Sequence, residues 1–383
     1  MLYMVADGNR RGIRHLIPDF WDHAADHGLS LPTDAPVSAS AICQARERLD
    51  ENAFRDLLYA LSSAQDGADP DSPSRRWRGR RVFAVDGAKV NLRRSPDLER
   101  AFGVPEGAHC PQVLMSVLTD VCSRSPVDFE VSGFRTSERD HLLRMLPSLD
   151  RGDLLLLDRG YPSHEVLQEC ASRGIDFLVR VPKSHTFAAV DEFVLSGASD
   201  AVTTIELPAN PDPEWRPLRV RLTRLEGPDG PSFYISSLLS DEISHADIAE
   251  LYHMRWEAEE YFKLFTSEYI GQKQFRSTSA QRVIQEFGAL TLFLAISRLL
   301  AGAANESIQD DAEFPSQKGA VLTLAKFLPR ILLEPNPSTV RSTIQRAIQR
   351  ILLTLDRHRP GRSFPRRSFK PTPKWCPAGR RGA

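Results

Sequence analysis

An α/β fold with a mixed sheet is what this sequence predicts, and three observations carry the prediction. Three β-runs follow one another at residues 82–85, 113–118 and 127–131, the last two joined by a connection short enough for a hairpin. Helix and strand then alternate. Ser137 can cap a helix ending near Met145, residues 154–157 are consecutive leucines that suit a buried strand, Ser163 can cap a helix stopping before Gly174, and residues 177–181 read as a fifth strand. Strands in succession followed by alternation imply strands running in both directions. The third observation is the apolar run 287–296, which meets Ser297 and Arg298 well short of the roughly 20 residues a membrane span needs and so reads as a buried helix.

The remaining elements follow in order. Residues 1–11 have no apolar core before Arg10 and Arg11, so no secretory signal is expected and the protein is expected in the cytoplasm. Ser38 or Ser40 can cap a helix with Ile42, Ala45 and Leu49 on one side and Arg46 and Arg48 elsewhere, and a second helix is expected over 51–61. Residues 62–74, rich in Gly, Pro, Ser and Asp, read as a linker. Beyond Lys183, Pro208, Pro211, Pro213, Pro217, Pro228 and Pro231 punctuate short alternating runs, which predicts a β-rich insertion. Helix returns at Ser244 and runs to about 268; further helices are expected over 280–300, 321–333 and 337–355, with 357–383 irregular. The expected layout is a helical N-terminal region (1–61), a linker (62–76), a first core part (77–182), the insertion (183–243), a second core part (244–303) and a helical C-terminal region with a basic tail (304–383).

Charge is distributed unevenly. The 383 residues hold 49 Lys and Arg against 50 Asp and Glu, and with 41% apolar positions a wholly disordered chain is excluded. From Arg341 onward there are 12 cationic residues and one acid, a net +11, which leaves −12 for the rest. That asymmetry suits a polyanionic partner held by a basic arm, with an acidic body free to bind metal. The five cysteines, Cys43, Cys110, Cys122, Cys170 and Cys376, contain no C-x-x-C pair, so neither a disulfide scaffold nor a structural zinc site is expected, and mostly buried thiols are.

Two acids stand at expected strand ends: Asp86 after 82–85 and Asp158 after 154–157, each followed within two residues by Gly. Strand ends are where α/β sheets carry functional groups, although either Asp alone could be a turn residue or helix cap. A third acid lies on the helix 251–263. At about 100° per residue, Tyr252, Arg255, Glu259 and Lys263 fall within an arc of roughly 80°. Leu251, Met254, Tyr261 and Phe265 lie on another side and suit the buried face. An ordinary salt-bridged surface would also produce this stripe.

Together these residues resemble the DDE transposases of bacterial insertion sequences, specifically the insertion-sequence-four type with its Tyr-Arg-Glu-Lys signature. The matching stretches are Val85-Asp86-Gly87, residues 152–161 (GDLLLLDRGY), and Tyr252-x-x-Arg255-Trp256-x-x-Glu259-x-x-x-Lys263, in that order. Phe102-Gly103 and Thr136-Ser137-Glu138-Arg139 belong to the similarity, which extends from about Ser38 to at least Leu300. The family's Lys usually stands seven residues after the Glu, where this chain has Thr266; Lys263 takes its place here.

The resemblance implies an RNase H-like core interrupted by a β-rich insertion. Asp86, Asp158 and Glu259 would be catalytic and would hold two Mg²⁺ ions, replaceable by Mn²⁺, for in-line displacement at phosphorus. Tyr252, Arg255 and Lys263 would clamp phosphate, and Arg159 and Tyr161 would line the DNA channel. The implied partners are double-stranded DNA, as terminal inverted repeats and target, and a second copy of the chain; no membrane and no small-molecule cofactor is expected. The family expels its flanking strand through a DNA hairpin with an aromatic from the insertion stacked on a displaced base. Trp215, Phe233 and Tyr234 are candidates for it, each with core packing as the plainer role. The N-terminal region is shorter than in the family, so an incomplete end-recognition domain is an open expectation. A catalytically silent DNA-binding remnant acting as a repressor is the alternative of a different class.

Overall fold

The structure is a computed structural model and describes residues 1–7, 11–28, 31–50, 52–68, 76–184, 186–227, 230–240, 242–265, 275–310 and 312–357. Linker residues 69–75, Thr266, Cys376 and the tail cations Arg359, Arg362, Arg366, Arg367 and Lys370 lie outside the described residues. The helices are α1 (Leu2–Ala6), α2 (Ile13–Asp26), α3 (Ala39–Glu47), α4 (Ala53–Ala68), α5 (Pro96–Phe102), α6 (Glu138–Met145), α7 (His164–Arg173), α8 (Ala188–Ser196), α9 (His245–Met254), α10 (Trp256–Leu264), α11 (Ala280–Asn305), α12 (Gln317–Leu333) and α13 (Pro337–Ile351). The strands are β1 (Val82–Asn91), β2 (Gln112–Asp120), β3 (Ser125–Gly133), β4 (Leu154–Leu157), β5 (Asp176–Val181), β6 (Asp200–Ile205), β7 (Leu218–Leu225), β8 (Ser232–Ser236), β9 (Glu313–Pro315) and β10 (Leu355–Arg357).

Strands β1 to β8 form one sheet in the order β3-β2-β1-β4-β5-β8-β7-β6. β4 runs parallel to both β1 and β5, and the other neighbours are antiparallel, so the mixed sheet is present. The stretch expected as a β-rich insertion contains α8 as well as three strands. Because β8 pairs with β5, those strands lengthen the main sheet instead of closing on themselves. The helix expected over 337–355 ends at Ile351, and Leu355–Arg357, of which Arg357 was expected to be irregular, pair as β10 with β9.

Both faces of the central strands are covered, which is why β4 can be four leucines with no exposed position. Phe83, Val85, Leu155 and Leu157 face Leu142 and Met145 of α6 and Val166 and Leu167 of α7. Val82, Ala84, Leu154 and Leu156 face Leu251 and Ala258 of α9 and α10. Farther along the same side, Val90, Met115 and Val117 pack with Tyr261, Phe265 and Phe287. Helix α11, 26 residues, is long and apolar enough to cross a bilayer, but 78% of its apolar window is buried inside the protein against α4, α12 and α13. The expected buried helix is therefore found, and it is longer than the apolar run that announced it.

Several expectations are corrected. α4 runs to Ala68, through the residues taken as the start of the linker, and Arg55 ties it to β3 through Asp128 at 3.0 Å and Glu130 at 2.5 Å. Ser38 caps α3, accepting from Ala41 N at 3.1 Å, but Arg46 is not available at the surface: it is buried and bonds Arg282 O at 2.9 Å and Gln285 Oε1 at 3.2 Å. The single helix expected from Ser244 breaks at Arg255, which ends α9 and starts α10, with three-residue bonds Arg255 N to Tyr252 O and Ala258 N to Arg255 O tightening the chain there. Of the described cysteines, Cys170 is buried, whereas Cys43, Cys110 and Cys122 are half-buried; all four are free thiols.

Candidate functional site

Asp86 does not end its strand. β1 continues to Asn91 because the ladder with β2 continues, from Phe83 opposite Asp120 to Asn91 opposite Gln112, and Asp86 stands opposite Val117. Gly87 and Ala88 are poor strand formers, and long-range pairing overrides that preference. By strand alternation Asp86 shares the side of Val82 and Ala84. β1 and β4 are in register at Ala84 and Leu156, so the next pair on that side brings Asp86 level with Asp158, just where β4 stops. Asp158 Oδ1 accepts from Gly160 N at 2.7 Å, which fixes the carboxylate in a tight turn after the strand.

The helix covering this side carries the third acid. α10 packs across β1 with Ala258 buried, and Glu259 follows on its next position. Arg255 forms an ion pair with Glu259 and lies over the Tyr252 ring, 5.5 Å from its centroid. Its Nε is buried without a hydrogen-bond partner among the described residues. Tyr252 in turn packs edge-on against Tyr234 at 4.8 Å, and burial pushes its hydroxyl up to about 12. Lys263 is exposed and pairs with Glu260 at 2.8 Å.

Electrostatics set these acids apart. Burial pushes Asp86 up to about 6, against the stabilising N–H of Gly87; the carboxylates of Glu138 and Glu259 push in the same direction as burial, and Arg255 opposes them. Other shielded acids are held by arginine: Asp128 by Arg55, Asp153 by Arg81, Asp200 by Arg221 and Glu286 by Arg46. Among the described residues neither Asp86 nor Asp158 has such an ion pair. Arg255 is the cation whose charge these acids feel, and carboxylates supply the hard oxygens that a divalent cation takes. Among the described residues no three Asp, Glu, His or Cys side chains already converge on one point close enough to hold an ion, and Arg255 engages Glu259.

The other expected residues are distributed around this centre. Arg159 is exposed and, with Arg139, Ser163 and His164, lines a cavity of about 420 Å³. Tyr161 is 1% exposed, so it cannot line an open channel; its hydroxyl donates to Glu138 Oε2 at 3.1 Å. Phe233 and Tyr234 are core residues, whereas Trp215 is half-buried and stacks on His164 with ring centroids 6.4 Å apart. Glu138 was not singled out as a site residue by the sequence. Its signal is a helix-start acid in the stretch Thr136-Ser137-Glu138-Arg139, which reads equally well as part of a cap.

A model of the transposase DDE domain matches residues 77–296, more than half of the chain. Among solved structures, a cryo-EM structure of the piggyBac transposase synaptic complex with hairpin DNA is similar, with a TM-score of 0.45 and 10% identity over 91% of this chain and 83% of that one. No curated protein gives a significant sequence match. On the match that spans β1 to α11 and includes all three acids, the chain belongs to the transposase DDE-domain family.

Proposed function

We propose that this protein is a metal-dependent transposase of the insertion-sequence-four type, which cuts DNA at the terminal inverted repeats of its element and joins the ends to target DNA. The observation that carries this reading is the β1–β4 register, which from the Ala84–Leu156 pair brings Asp86 level with Asp158 on the side of the helix bearing Glu259, within a transposase DDE domain. Residues 77–182 and 244–303 would then be the two parts of an RNase H-like core, 183–243 its insertion, 1–61 a DNA-binding region and 304–383 a C-terminal region with a basic tail.

Asp86, Asp158 and Glu259 would hold two Mg²⁺ ions, with Mn²⁺ able to replace them. Bound there, such ions would supply activation of an attacking water or 3′-hydroxyl and stabilisation of the leaving oxygen. The protein's own groups do the positioning. Arg255, propped on the Tyr252 ring, carries a spare buried Nε donor and a charge that can be shared between Glu259 and a phosphate oxygen. Arg159 and Lys263 are exposed enough to contact the DNA backbone, which orients the strand without reading its sequence. Tyr161 acts from beneath by holding Glu138. Of the three insertion aromatics, half-buried Trp215 is the one suited to stack on a base displaced in a DNA hairpin. The partners are double-stranded DNA and a second copy of the chain, acting at the bacterial nucleoid in the cytoplasm.

The test is cleavage of a labelled duplex carrying the DNA that flanks the gene, with Mg²⁺, Mn²⁺ or EDTA, resolved on a denaturing gel. Metal-dependent nicks at one defined end, followed by hairpin or joined product, are expected, and Asp158→Ala should abolish them while leaving DNA binding largely intact. Cleavage by Asp158→Ala at the wild-type rate would overturn the site. Specific binding with no cleavage by the wild type would identify a DNA-binding repressor instead.

A further inference from the structure

Helix α13 has two unlike sides. Thr343, Ala347 and Ile351 are fully buried, with Ile344 and Ile348 beside them, where the helix packs on α11 and α12. The other side is exposed and wholly polar: Arg341, Ser342, Gln345, Arg346, Gln349 and Arg350. At about 100° per residue, Gln345, Gln349 and Ser342 lie roughly 40°, 80° and 100° round from Arg341, and Arg346 and Arg350 roughly 140° and 180°. Arginines therefore border the exposed face on both edges, and the glutamines run along its middle.

These arginines have no acid to hold. No Asp or Glu occurs from Pro335 to Leu355. Elsewhere Arg55, Arg81 and Arg221 are tied to carboxylates. Among the described residues Arg341, Arg346 and Arg350 form no ion pair, and the side chains of Gln345 and Gln349 form no hydrogen bond. Arg346 lies over the Phe327 ring of α12, 5.9 Å from its centroid, which steadies one edge of the face. An acid-free helix bordered by arginines is complementary to a polyanion. The major groove of B-DNA, about 12 Å wide, admits a helix about 10–12 Å across, with phosphates along both sides and base edges beneath. Arginine at both edges and glutamine between them is the matching order, because arginine takes phosphate oxygens and glutamine pairs bidentately with adenine. Beyond β10 the chain adds eight more Lys and Arg, with no acid, over residues 358–383.

We propose that α13 enters the major groove of duplex DNA and reads sequence there, with Arg341, Arg346 and Arg350 on phosphates and Gln345 and Gln349 on base edges. This rests on the reading of the chain as a protein that recognises the ends of its element, and it assigns part of that recognition to the C-terminal region.

The test is fluorescence anisotropy of two labelled duplexes with the full-length protein in EDTA, which keeps cleavage out of the measurement. One duplex carries the DNA that flanks the gene, and the other has the same length and composition in scrambled order. The wild type should prefer the flanking duplex. The double variant Gln345→Ala, Gln349→Ala should reduce that preference about tenfold or more, by weakening the flanking duplex alone. The double variant Arg341→Ala, Arg350→Ala should weaken both duplexes and lower the slope of log affinity against log salt by about 2. Ser342→Glu, which puts an acid in the middle of the face, should also weaken both, and unchanged binding by it would count against the face. These side chains are exposed, so melting temperatures should not move; a variant that lost affinity and stability together would make its residues structural and the proposal wrong. Full preference retained by the glutamine variant would overturn base reading by α13 and leave end recognition by the rest of the chain standing. Equal affinity of the wild type for the two duplexes would overturn end recognition itself, and this proposal with it. If the variants changed the oligomeric state in sedimentation and left both affinities unmoved, the face would be a contact between copies instead.

Discussion

His141 should make the folded protein lose stability as the pH falls below neutrality, and replacing it should remove that sensitivity. The ring is fully buried between α6 and the sheet, with Nδ1 2.8 Å from Ser116 Oγ and Nε2 2.6 Å from Ser132 Oγ. Burial, helped by the charge of Arg144 and opposed by Asp140, pushes it down to about 4. Since the folded value is depressed, the unfolded chain takes up the proton first: the stabilisation is fully present above about 6.5 and is lost as the pH falls toward 4. With those two values, linkage makes this residue cost the folded state about 2 kcal/mol between pH 7.5 and pH 5. Asp86, whose folded value is raised, works in the opposite sense below about 6, so the useful quantity is the difference between wild type and variant. His141→Gln should be about 1–2 kcal/mol less stable at pH 7.5, from two weakened hydrogen bonds, and about equal to wild type at pH 5. Urea unfolding followed by circular dichroism at both pH values measures the gap. A gap of the same size at pH 5 and pH 7.5 would refute the assignment of a neutral, buried His141.

Further predictions concern the site, the core and the tail. Arg255→Ala should slow strand cleavage by about two orders of magnitude, because it removes the charge beside Glu259, while changing DNA affinity little; single-turnover cleavage and a binding titration separate the two. Gly288→Ala places a methyl 2.8 Å from both Phe129 Cζ and Phe54 Cβ, so overpacking should cost about 1–3 kcal/mol despite alanine's better helix propensity. A melting temperature at or above wild type would contradict that packing. Removing residues 358–383 takes away eight Lys and Arg with no acid, so DNA affinity should fall and its dependence on salt should flatten. An unchanged slope of affinity against salt concentration would show that the tail makes no phosphate contacts.

The mixed α/β sheet, the leucine strand ending at Asp158, the helix starts capped by Ser137 and Ser163, and the close spacing of Tyr252, Arg255 and Glu259 are legible in the sequence alone. Those features are local, written in hydrophobic period and capping chemistry, so they can be read within a few residues. What it could not determine depends on partners far along the chain. β1 runs through Asp86 because β2 pairs with it, and residues 183–243 join the main sheet because β8 finds β5. Lys263 turns to Glu260, and Arg46 is buried against residues of α11, more than two hundred positions away. Glu138 is the clearest case. Nothing in its neighbours along the chain distinguishes it from a helix-cap acid, and its bond to Tyr161, 23 positions away, exists only in the assembled fold. Local preferences of a fraction of a kcal/mol decide an element, whereas the burial and desolvation that bring charges together belong to the assembled fold.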